Sequence, residues 1–538
     1  MGFAKKTRKA VIAATAAAAL FGLTACQAAG DNAMVNTAAP VTWAIAGNNL
    51  DGGHMDPHRS QLDASAMLGR LVLDSLTYLD ESGTLQPWLA TSWETSADGK
   101  KVTFKLREDV TFTDGEKFNA AAVKANFEHI MAAETESAAA NDMLGGDAFV
   151  GVNVIDEYTA EVEFNRPFAP FLTFSANSNL GFYSPRALAT SADKLPAADP
   201  AAYIGTGPWK LVEYVAGSSI KYERNEAYTW YPEGFKPLEQ NAKTLEVALV
   251  AEDNLRVARV SNGEALLASE LSPVAVENSN LSVHKTPAPG MPYSLYVNTT
   301  QFGSDDKAVR KALALSVDRE AIVDAVFGGS YDAAGAVFSP STPLTTVGDT
   351  AVQHDVTAAA KLLDEAGWKL PEGKEIREKD GKPLTLSYIS WTPRSEDKQA
   401  VTDLLVDQWR AVGIEVKNEL LEPGDYNERY GAGTFNLTDW AYGSTDPDIL
   451  RNHLHSEGFQ NASFVKNSEI DAKLEAAAAS SDDAERTKLY DELAAWVQTE
   501  TPIIPVYTPA AISVSSDKLV GLHYDANGWP LLLSVAVK

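Results

Sequence analysis

The chain has 538 residues, with 73 acidic against 45 basic side chains and a formal net charge of −28. A surface this acidic repels phosphate backbones, which excludes nucleic acid as a partner. The length argues for at least two sizeable lobes, and the single cysteine, Cys26, has no second cysteine with which to form an intramolecular disulfide.

Residues 1–25 have the layout of a secretory signal. Four basic residues precede an apolar, alanine-rich run, Ala10–Gly22, which is too short to cross a bilayer as a helix. The run leads into Leu23-Thr-Ala-Cys26, which resembles the lipobox of bacterial lipoproteins, where the cysteine sulfur is acylated. We therefore expect cleavage before Cys26 and a lipid anchor on its sulfur, which leaves a mature net charge of −32. The alternative is an ordinary secreted protein with a chance cysteine.

The next part of the chain begins with a polar tether, residues 26–40, and continues mainly as strands. Strict alternation predicts a strand at Lys101–Arg107, and Asn119 is expected to cap a helix that ends near Met131. Turn residues between alternating runs predict two hairpins, at Val150–Phe164 and Trp209–Arg224. Other segments are predicted as strands at Val41–Gly47, Thr244–Val250 and Tyr293–Asn298, and as a helix at Glu252–Val260.

Beyond Met291 the pattern becomes mainly helical. Strand-like runs return from Ile503 to Val537, so we expect a lobe boundary near Met291 and a return crossing near Thr501. The alternation of helices and strands between these points favours an α/β lobe. Helices are predicted at Asp305–Ser316, Arg319–Phe327, Val356–Ala366, Ser395–Val412, Ser468–Ala479 and Asp483–Glu500, and strands at Leu384–Ile389, Ile414–Leu420 and Phe435–Trp440.

The usual catalytic signatures are absent: there is no His-Glu-x-x-His, no Gly-x-Ser-x-Gly and no phosphate-binding loop. Ser-x-x-Lys occurs without the partner motifs of β-lactamase-like enzymes, so we predict no catalytic residues and no cofactor. Imidazole and carboxylate groups suit divalent metals, but loop histidines are usually just solvated, and we predict no resident metal. The groups concerned are His54, Asp56 and His58, and His453 and His455 near Asp446 and Asp448.

Aromatic residues give a better signal of function. Trp391, Trp440 and Tyr442 fall at or just past the ends of predicted strands in the second lobe. Strand ends in α/β lobes open onto ligand crevices, where aromatic rings can enclose an organic ligand. The alternative is that these residues pack in the core near a sheet edge.

Seven longer motifs carry a family resemblance, at Met55–His58, Pro87–Trp93, Leu106–Glu116, Ile204–Trp209, Val309–Leu313, Leu362–Trp368 and Trp409–Ile414. Together they resemble the large extracytoplasmic solute-binding proteins of ABC importers, the peptide- and nickel-binding group called family 5. The resemblance runs from about Val41 to the C-terminus, and the segment Gly367–Gly381 is most similar to the nickel-binding branch.

This resemblance implies an α/β fold with two lobes, the type II periplasmic-binding-protein arrangement with an extra subdomain in lobe I. The implied ranges are 41–290 for lobe I, about 65–195 for its inserted subdomain, 291–500 for lobe II and 501–538 for the return to lobe I. The implied cleft closes on a solute by hinge motion.

The resemblance also suggests the ligand-binding residues. Gly443 stands where dipeptide binders hold an aspartate for the peptide amine, and Thr392 where they hold an arginine for the carboxylate. Arginines that grip a metal chelator in nickel-binding members are missing near 134–136 and 177–179, and their Asp-Pro-His becomes Asp446-Pro-Asp. The full set of expected ligand-binding residues is Trp440, Tyr442, Gly443, Asp446, Thr392, Asp63 and Arg394.

The predicted function is therefore a monomeric lipoprotein outside the cytoplasmic membrane. It would capture an oligopeptide, a nickel or other metal chelate, or a related small solute, and deliver it to an ABC permease. An anchored extracellular hydrolase is the competing interpretation, and a surface receptor that borrows the fold is a third.

Overall fold

The structure is a computed structural model that describes residues 35–47, 50–137, 139–189, 194–277, 279–346 and 353–538. The predicted signal segment and Cys26 lie outside the described residues. No helix in these ranges is long and apolar enough to span a membrane.

Fifteen α-helices are present in the described residues, together with short 3-10 turns. The helices are α1 (Asp63–Val72), α2 (Ala120–Met131), α3 (Ala139–Met143), α4 (Pro170–Phe174), α5 (Pro185–Leu188), α6 (Asp253–Ser261), α7 (Pro273–Val276), α8 (Lys307–Ser316), α9 (Arg319–Phe327), α10 (Val356–Glu365), α11 (Glu396–Ala411), α12 (Pro423–Ala432), α13 (Ile449–Leu454), α14 (Ser468–Ala479) and α15 (Asp483–Glu500).

Twenty-five strands form three large sheets and four two-stranded ribbons within the described ranges. The strands are β1 (Val41–Ile45), β2 (Thr77–Leu79), β3 (Leu85–Pro87), β4 (Ala90–Thr95), β5 (Lys101–Leu106), β6 (Phe149–Asp156), β7 (Thr159–Phe164), β8 (Trp209–Val215), β9 (Ser219–Arg224), β10 (Thr244–Leu249), β11 (Leu267–Ala268), β12 (Ser282–Pro287), β13 (Gly290–Val297), β14 (Asp332–Ala333), β15 (Glu378–Lys379), β16 (Lys382–Pro383), β17 (Thr385–Trp391), β18 (Glu415–Leu421), β19 (Leu437–Gly443), β20 (Ile503–Thr508), β21 (Ala510–Ser515), β22 (Leu519–Val520), β23 (His523–Tyr524), β24 (Pro530–Leu531) and β25 (Ala536–Val537).

Lobe I is built on a seven-stranded sheet with the order β12-β21-β11-β1-β10-β9-β8. The central strand β1 pairs in parallel with β10 and β11, and its side chains are buried on both faces. Helix α1 packs against this sheet, because its apolar face joins the core around Trp43 and Trp209. The chain ends return to the same core: Asn36 N donates to Val537 O over 2.7 Å.

An inserted subdomain carries the four-stranded sheet β4-β5-β7-β6. Phenylalanines such as Phe104, Phe127 and Phe171 pack together in its core against α2, and Asn119 Oδ1 caps that helix by accepting from Ala122 N over 3.0 Å. Most of this core comes from residues 76–182, a narrower range than the expected 65–195, because α1 packs into the core of lobe I instead.

Lobe II contains the six-stranded sheet β14-β20-β13-β19-β17-β18. Strands β17, β18 and β19 run parallel to one another, and β13 runs antiparallel to β19. Helices α8, α9, α10 and α11 contribute apolar residues to the core beside this sheet, around Trp368, Tyr388 and Trp409. The expected α/β fold with two lobes is confirmed.

The chain crosses between the lobes twice, and the two crossings touch. Ala288 and Pro289 join β12 to β13, Pro509 joins β20 to β21, and Ala288 N donates to Pro509 O over 3.0 Å. The return crossing expected near Thr501 lies eight residues later, because Ile503–Thr508 pairs with β13 inside lobe II. The apolar sequence of this strand predicts that it is buried, but it does not indicate which of the two large sheets the strand joins.

Candidate ligand cleft between the lobes

The crossings lie at the edge of each sheet where the carboxyl ends of the parallel strands meet. In lobe I, β1, β10, β11 and β12 all end at this edge. In lobe II, Gly443 at the end of β19 pairs with Gly290 at the start of β13, so β17 and β18 end there as well. Ligands of open α/β sheets bind at such edges, so the two edges form the walls of a candidate cleft.

The lobe I wall is organised around Glu270, which follows β11. Its backbone has φ 57°, a left-handed conformation that is rare for a residue with a side chain and that clusters at functional sites. The buried guanidinium of Arg256 fixes this turn by donating to the Val250, Ala251 and Ser269 carbonyls at 2.6, 2.7 and 3.1 Å. The Glu270 carboxylate itself accepts from Ala46 N over 2.8 Å.

Asp63 and Asp525 lie close enough to add their charges to this wall. Asp63 is accessible to solvent but surrounded by protein, and this desolvation, with the nearby Glu270 and Asp525 charges, raises its pKa to about 6. Desolvation by the surrounding protein also raises the pKa of Glu270, although its side chain is exposed, and of the half-buried Asp525. None of the three forms an ion pair with a described residue. We call Asp63, Glu270 and Asp525 the acidic wall.

Arg70 contributes positive charge near the acidic wall, but its guanidinium is already engaged. It donates to Ser75 Oγ over 2.9 Å and to Ala176 O over 2.5 Å, and it lies 4.9 Å from the Trp88 ring centroid. These acceptors are neutral, so Arg70 keeps its charge, but one guanidinium against three carboxylates leaves the acidic wall with an excess of negative charge.

Tyr442, near the end of β19, faces the acidic wall from lobe II. Burial raises its pKa, and the Asp142 and Asp63 charges of lobe I raise it further, so its hydroxyl lies near both. Trp440, two residues earlier, stacks on Tyr296 with 4.1 Å between ring centroids. Both side chains are half-buried at the cleft edge, as proposed ligand contacts would require.

Arg394 and Asp446 are instead engaged inside lobe II. Arg394 Nη2 lies 3.1 Å from Asp439 Oδ2, with both side chains almost fully buried, and it also donates to Thr402 Oγ1 over 2.7 Å. Asp446 is buried and paired with Arg486 at 2.8 Å. We therefore leave both out of the proposed ligand contacts.

Thr392 and Gly443 lie at the cleft edge of the lobe II sheet. Thr392 follows β17 and donates its N–H to Leu421 O over 2.8 Å, and Gly443 ends β19 with its backbone exposed. They remain predicted ligand residues, with Asp63, Trp440 and Tyr442. The sequence patterns did not predict Glu270 and Asp525 as site residues. The position of Glu270 just after a short apolar run was a usable signal of a residue at a strand end.

The possible metal ligands do not come together. His58 is buried with its Nε2 2.7 Å from Gly181 O, and the His453 Nδ1 lies 2.9 Å from Ile449 O. Within the described ranges, no group of three or more His, Cys, Asp or Glu side chains is arranged to hold a metal ion.

Known proteins are similar to this chain over most of its length. The nickel-binding periplasmic protein of Escherichia coli K12 is 27% identical over 530 residues, which cover 94% of this chain and 95% of that protein. The glutathione-binding protein GsiB of Escherichia coli O1:K1 is 27% identical over 488 residues, covering 87% and 89%. The crystal structure of NikA from Brucella suis with Fe(III)-EDTA superposes with a TM-score of 0.80 at 26% identity, covering 93% of this chain and 100% of that one.

The family profile of the bacterial extracellular solute-binding proteins, family 5, matches residues 84–461. This range includes most of the inserted subdomain, the strand β17 that ends at Trp391, the strand β19 that carries Trp440 and Tyr442, and most of lobe II. The chain therefore belongs to the bacterial extracellular solute-binding proteins of family 5.

Proposed function

We propose that this protein is the extracytoplasmic solute-binding component of an ABC importer, and that its solute carries a cationic group. The acidic wall carries this proposal, because its three carboxylates lie within reach of one another's charge at the lobe I side and have no ion-pair partner among the described residues. A charge-assisted contact to such a carboxylate contributes about 1.5–3 kcal/mol. The solute would lie between this wall and the Trp440 and Tyr442 rings.

The names of relatives support a class of solute. Those compared here are named for nickel and for glutathione, and one holds Fe(III)-EDTA. For this chain we propose a short peptide with a free amine or a metal chelate with exposed positive charge. The solute is handed unchanged to a membrane permease by a monomer, so no bond is made or broken.

Native mass spectrometry tests the proposal. The sample is the protein with Cys26→Ser, purified gently from its own host. We expect a discrete added mass that fragments as an amine-bearing peptide or shows a metal isotope pattern. Asp63→Asn combined with Glu270→Gln should remove this mass, and the exposed Glu375→Gln should retain it. A solute whose only charges are anionic, or turnover of peptides and esters by the purified protein, would overturn the proposal.

A lipid anchor on Cys26 is part of the same proposal, and it rests on the Leu-Thr-Ala-Cys sequence after the apolar run. Two acyl chains of a diacylglyceryl group hold a protein stably at a membrane, where one chain is marginal. Metabolic labelling with a radioactive fatty acid should mark the wild-type chain, and Cys26→Ser should abolish the label. Labelling that persists in Cys26→Ser would contradict the anchor.

A further inference from the structure

A second contact joins the lobes away from the crossings, between the inserted subdomain and lobe II. Asp142 on α3 accepts from Asn452 Nδ2 of α13 over 2.6 Å, and Arg451 Nη2 lies 3.6 Å from its other carboxylate oxygen. The guanidinium carbon of Arg451 also lies 5.7 Å from the Phe168 ring centroid. We call Asp142, Phe168, Arg451 and Asn452 the latch.

A backbone hydrogen bond lies beside the latch. Ala169 N, at the start of α4, donates to Ala478 O in the last turn of α14 over 2.8 Å. Carbonyls in the last turn of a helix have no partner within the helix, so this bond satisfies one of them across the interface. The Ala478 side chain also packs in the phenylalanine core of the inserted subdomain.

Charges connect the latch to the loop that follows the cleft strand β19. Arg451 Nη2 lies 2.8 Å from Asp448 Oδ2, and Asp448 N donates to Asp446 Oδ1 over 2.9 Å. Asp446 is in turn paired with Arg486 on α15. The lobe II half of the latch is therefore held by a buried network that begins at Asp446, four residues after Tyr442.

We propose that the latch stabilises the closed arrangement of the two lobes through protein contacts alone, and so sets the affinity for solute without touching it. This inference rests on the proposed function, in which a solute binds between the lobes. None of the latch residues belongs to the acidic wall or to the aromatic pair Trp440 and Tyr442. Because apparent affinity scales with the populated fraction of the binding-competent state, weakening the latch weakens binding indirectly.

Disulfide trapping tests the latch without any solute, so its result does not depend on the proposed ligand. The test chain carries Cys26→Ser, Ala169→Cys and Ala478→Cys. A direct N–H to O=C bond keeps the two Cα atoms within about 6.5 Å, which a disulfide can span. We expect rapid cross-linking with copper phenanthroline, and we expect Asp142→Ala to slow it about tenfold and Asn452→Ala to slow it severalfold.

Asp109→Ala is the matched control, because Asp109 lies in the same subdomain but pairs only with its sequence neighbour Arg107 at the surface. It should leave the cross-linking rate unchanged. Asp142→Asn, which keeps an acceptor oxygen, should fall between the test chain and its Asp142→Ala variant, and circular dichroism melts show whether each variant is folded. Equal cross-linking rates in the test chain and its folded Asp142→Ala variant, or no cross-link in the test chain itself, would overturn the proposal.

Discussion

Arg486 Nη2 donates to Asp446 Oδ1 over 2.8 Å, and at 5% and 1% exposure the two side chains are shielded from water. Arg486 Nε also donates to Ala477 O over 3.2 Å, which joins α14 and α15 to the loop after β19. This pair explains why Asp446, although it stands in the segment expected to bind ligand, has its carboxylate committed to the interior.

Asp446→Ala should therefore destabilise the fold rather than alter the cleft. Removing one partner leaves the Arg486 charge buried without compensation, which costs about 3–5 kcal/mol. Urea denaturation of the purified protein measures this loss. Glu375→Ala is the control, because its pair with Arg410 is exposed and contributes about 0–1 kcal/mol. A loss below 1 kcal/mol for Asp446→Ala would contradict the structural role.

Asp63→Asn should raise the melting temperature at pH 7.5. The folded chain holds the Asp63 proton more tightly than the unfolded chain, because the pKa of Asp63 is about 6 in the folded chain and 3.8 in the unfolded chain. Its contribution to stability therefore falls as pH rises from about 4 to 6 and is unfavourable above that range. Since the group is solvent-accessible, we expect a gain of only roughly 1–2 °C.

Differential scanning calorimetry at pH 7.5 and pH 4 checks this prediction. The gain should vanish at pH 4, where Asp63 is largely protonated in the folded chain. Asp517→Asn, at an exposed turn in lobe I, is the matched control and should change the melting temperature at neither pH. A lower melting temperature for Asp63→Asn at pH 7.5 would argue against crowding of charge in the acidic wall.

His453 should make the protein sensitive to acid. Its ring is buried beside Tyr296 and Tyr442, and burial lowers its pKa to about 4. Between pH 6.5 and pH 4 the unfolded chain binds the proton more readily, so stability falls as pH falls, by roughly 3 kcal/mol for this group. His453→Gln should flatten the decline measured by urea denaturation across this range.

The exposed His354 provides the comparison for that series. His354→Gln should flatten the decline less than His453→Gln does, because a surface pair such as that of His354 with Asp318 contributes only about 0–1 kcal/mol. If His453→Gln and wild type lost stability with the same slope, the buried ring would not be the source of acid sensitivity.

Tyr442→Ala should reduce the solute retained through purification by about tenfold. Truncating a well-packed aromatic anchor usually costs more than 1 kcal/mol of binding free energy. Native mass spectrometry measures the bound fraction directly. Tyr158→Ala, in a turn of the inserted subdomain, is a matched loss of one tyrosine ring outside the cleft and should leave retention unchanged. Full retention by Tyr442→Ala would remove this residue from the site.

Secondary structure was best predicted where local signals were complete. The helix at Arg319–Phe327 was placed to the residue, because Asp318 caps its start and Gly328 ends it in a left-handed conformation. The short helix α13 was missed, since Asp-Pro-Asp before it also fits an ordinary turn.

The candidate site was harder to predict than the fold. The strand ends that carry Trp440 and Tyr442 could be found from local patterns. The acidic wall could not, because Asp63, Glu270 and Asp525 are more than 200 residues apart and meet only when the chain returns to lobe I. Likewise, Arg394 was expected at the cleft because it closely follows strand β17 in the sequence. Its side chain is buried instead, because it pairs with Asp439 on another strand, β19.

The bond between Asn36 and Val537 places the start of the described chain on lobe I, where β25 also ends. Cys26 lies ten residues earlier, within about 35 Å of fully extended chain. A lipid on Cys26 would thus keep lobe I within this distance of the bilayer, while lobe II moves relative to lobe I about the paired crossings. A transporter in that bilayer could then sense loading from the position of lobe II alone.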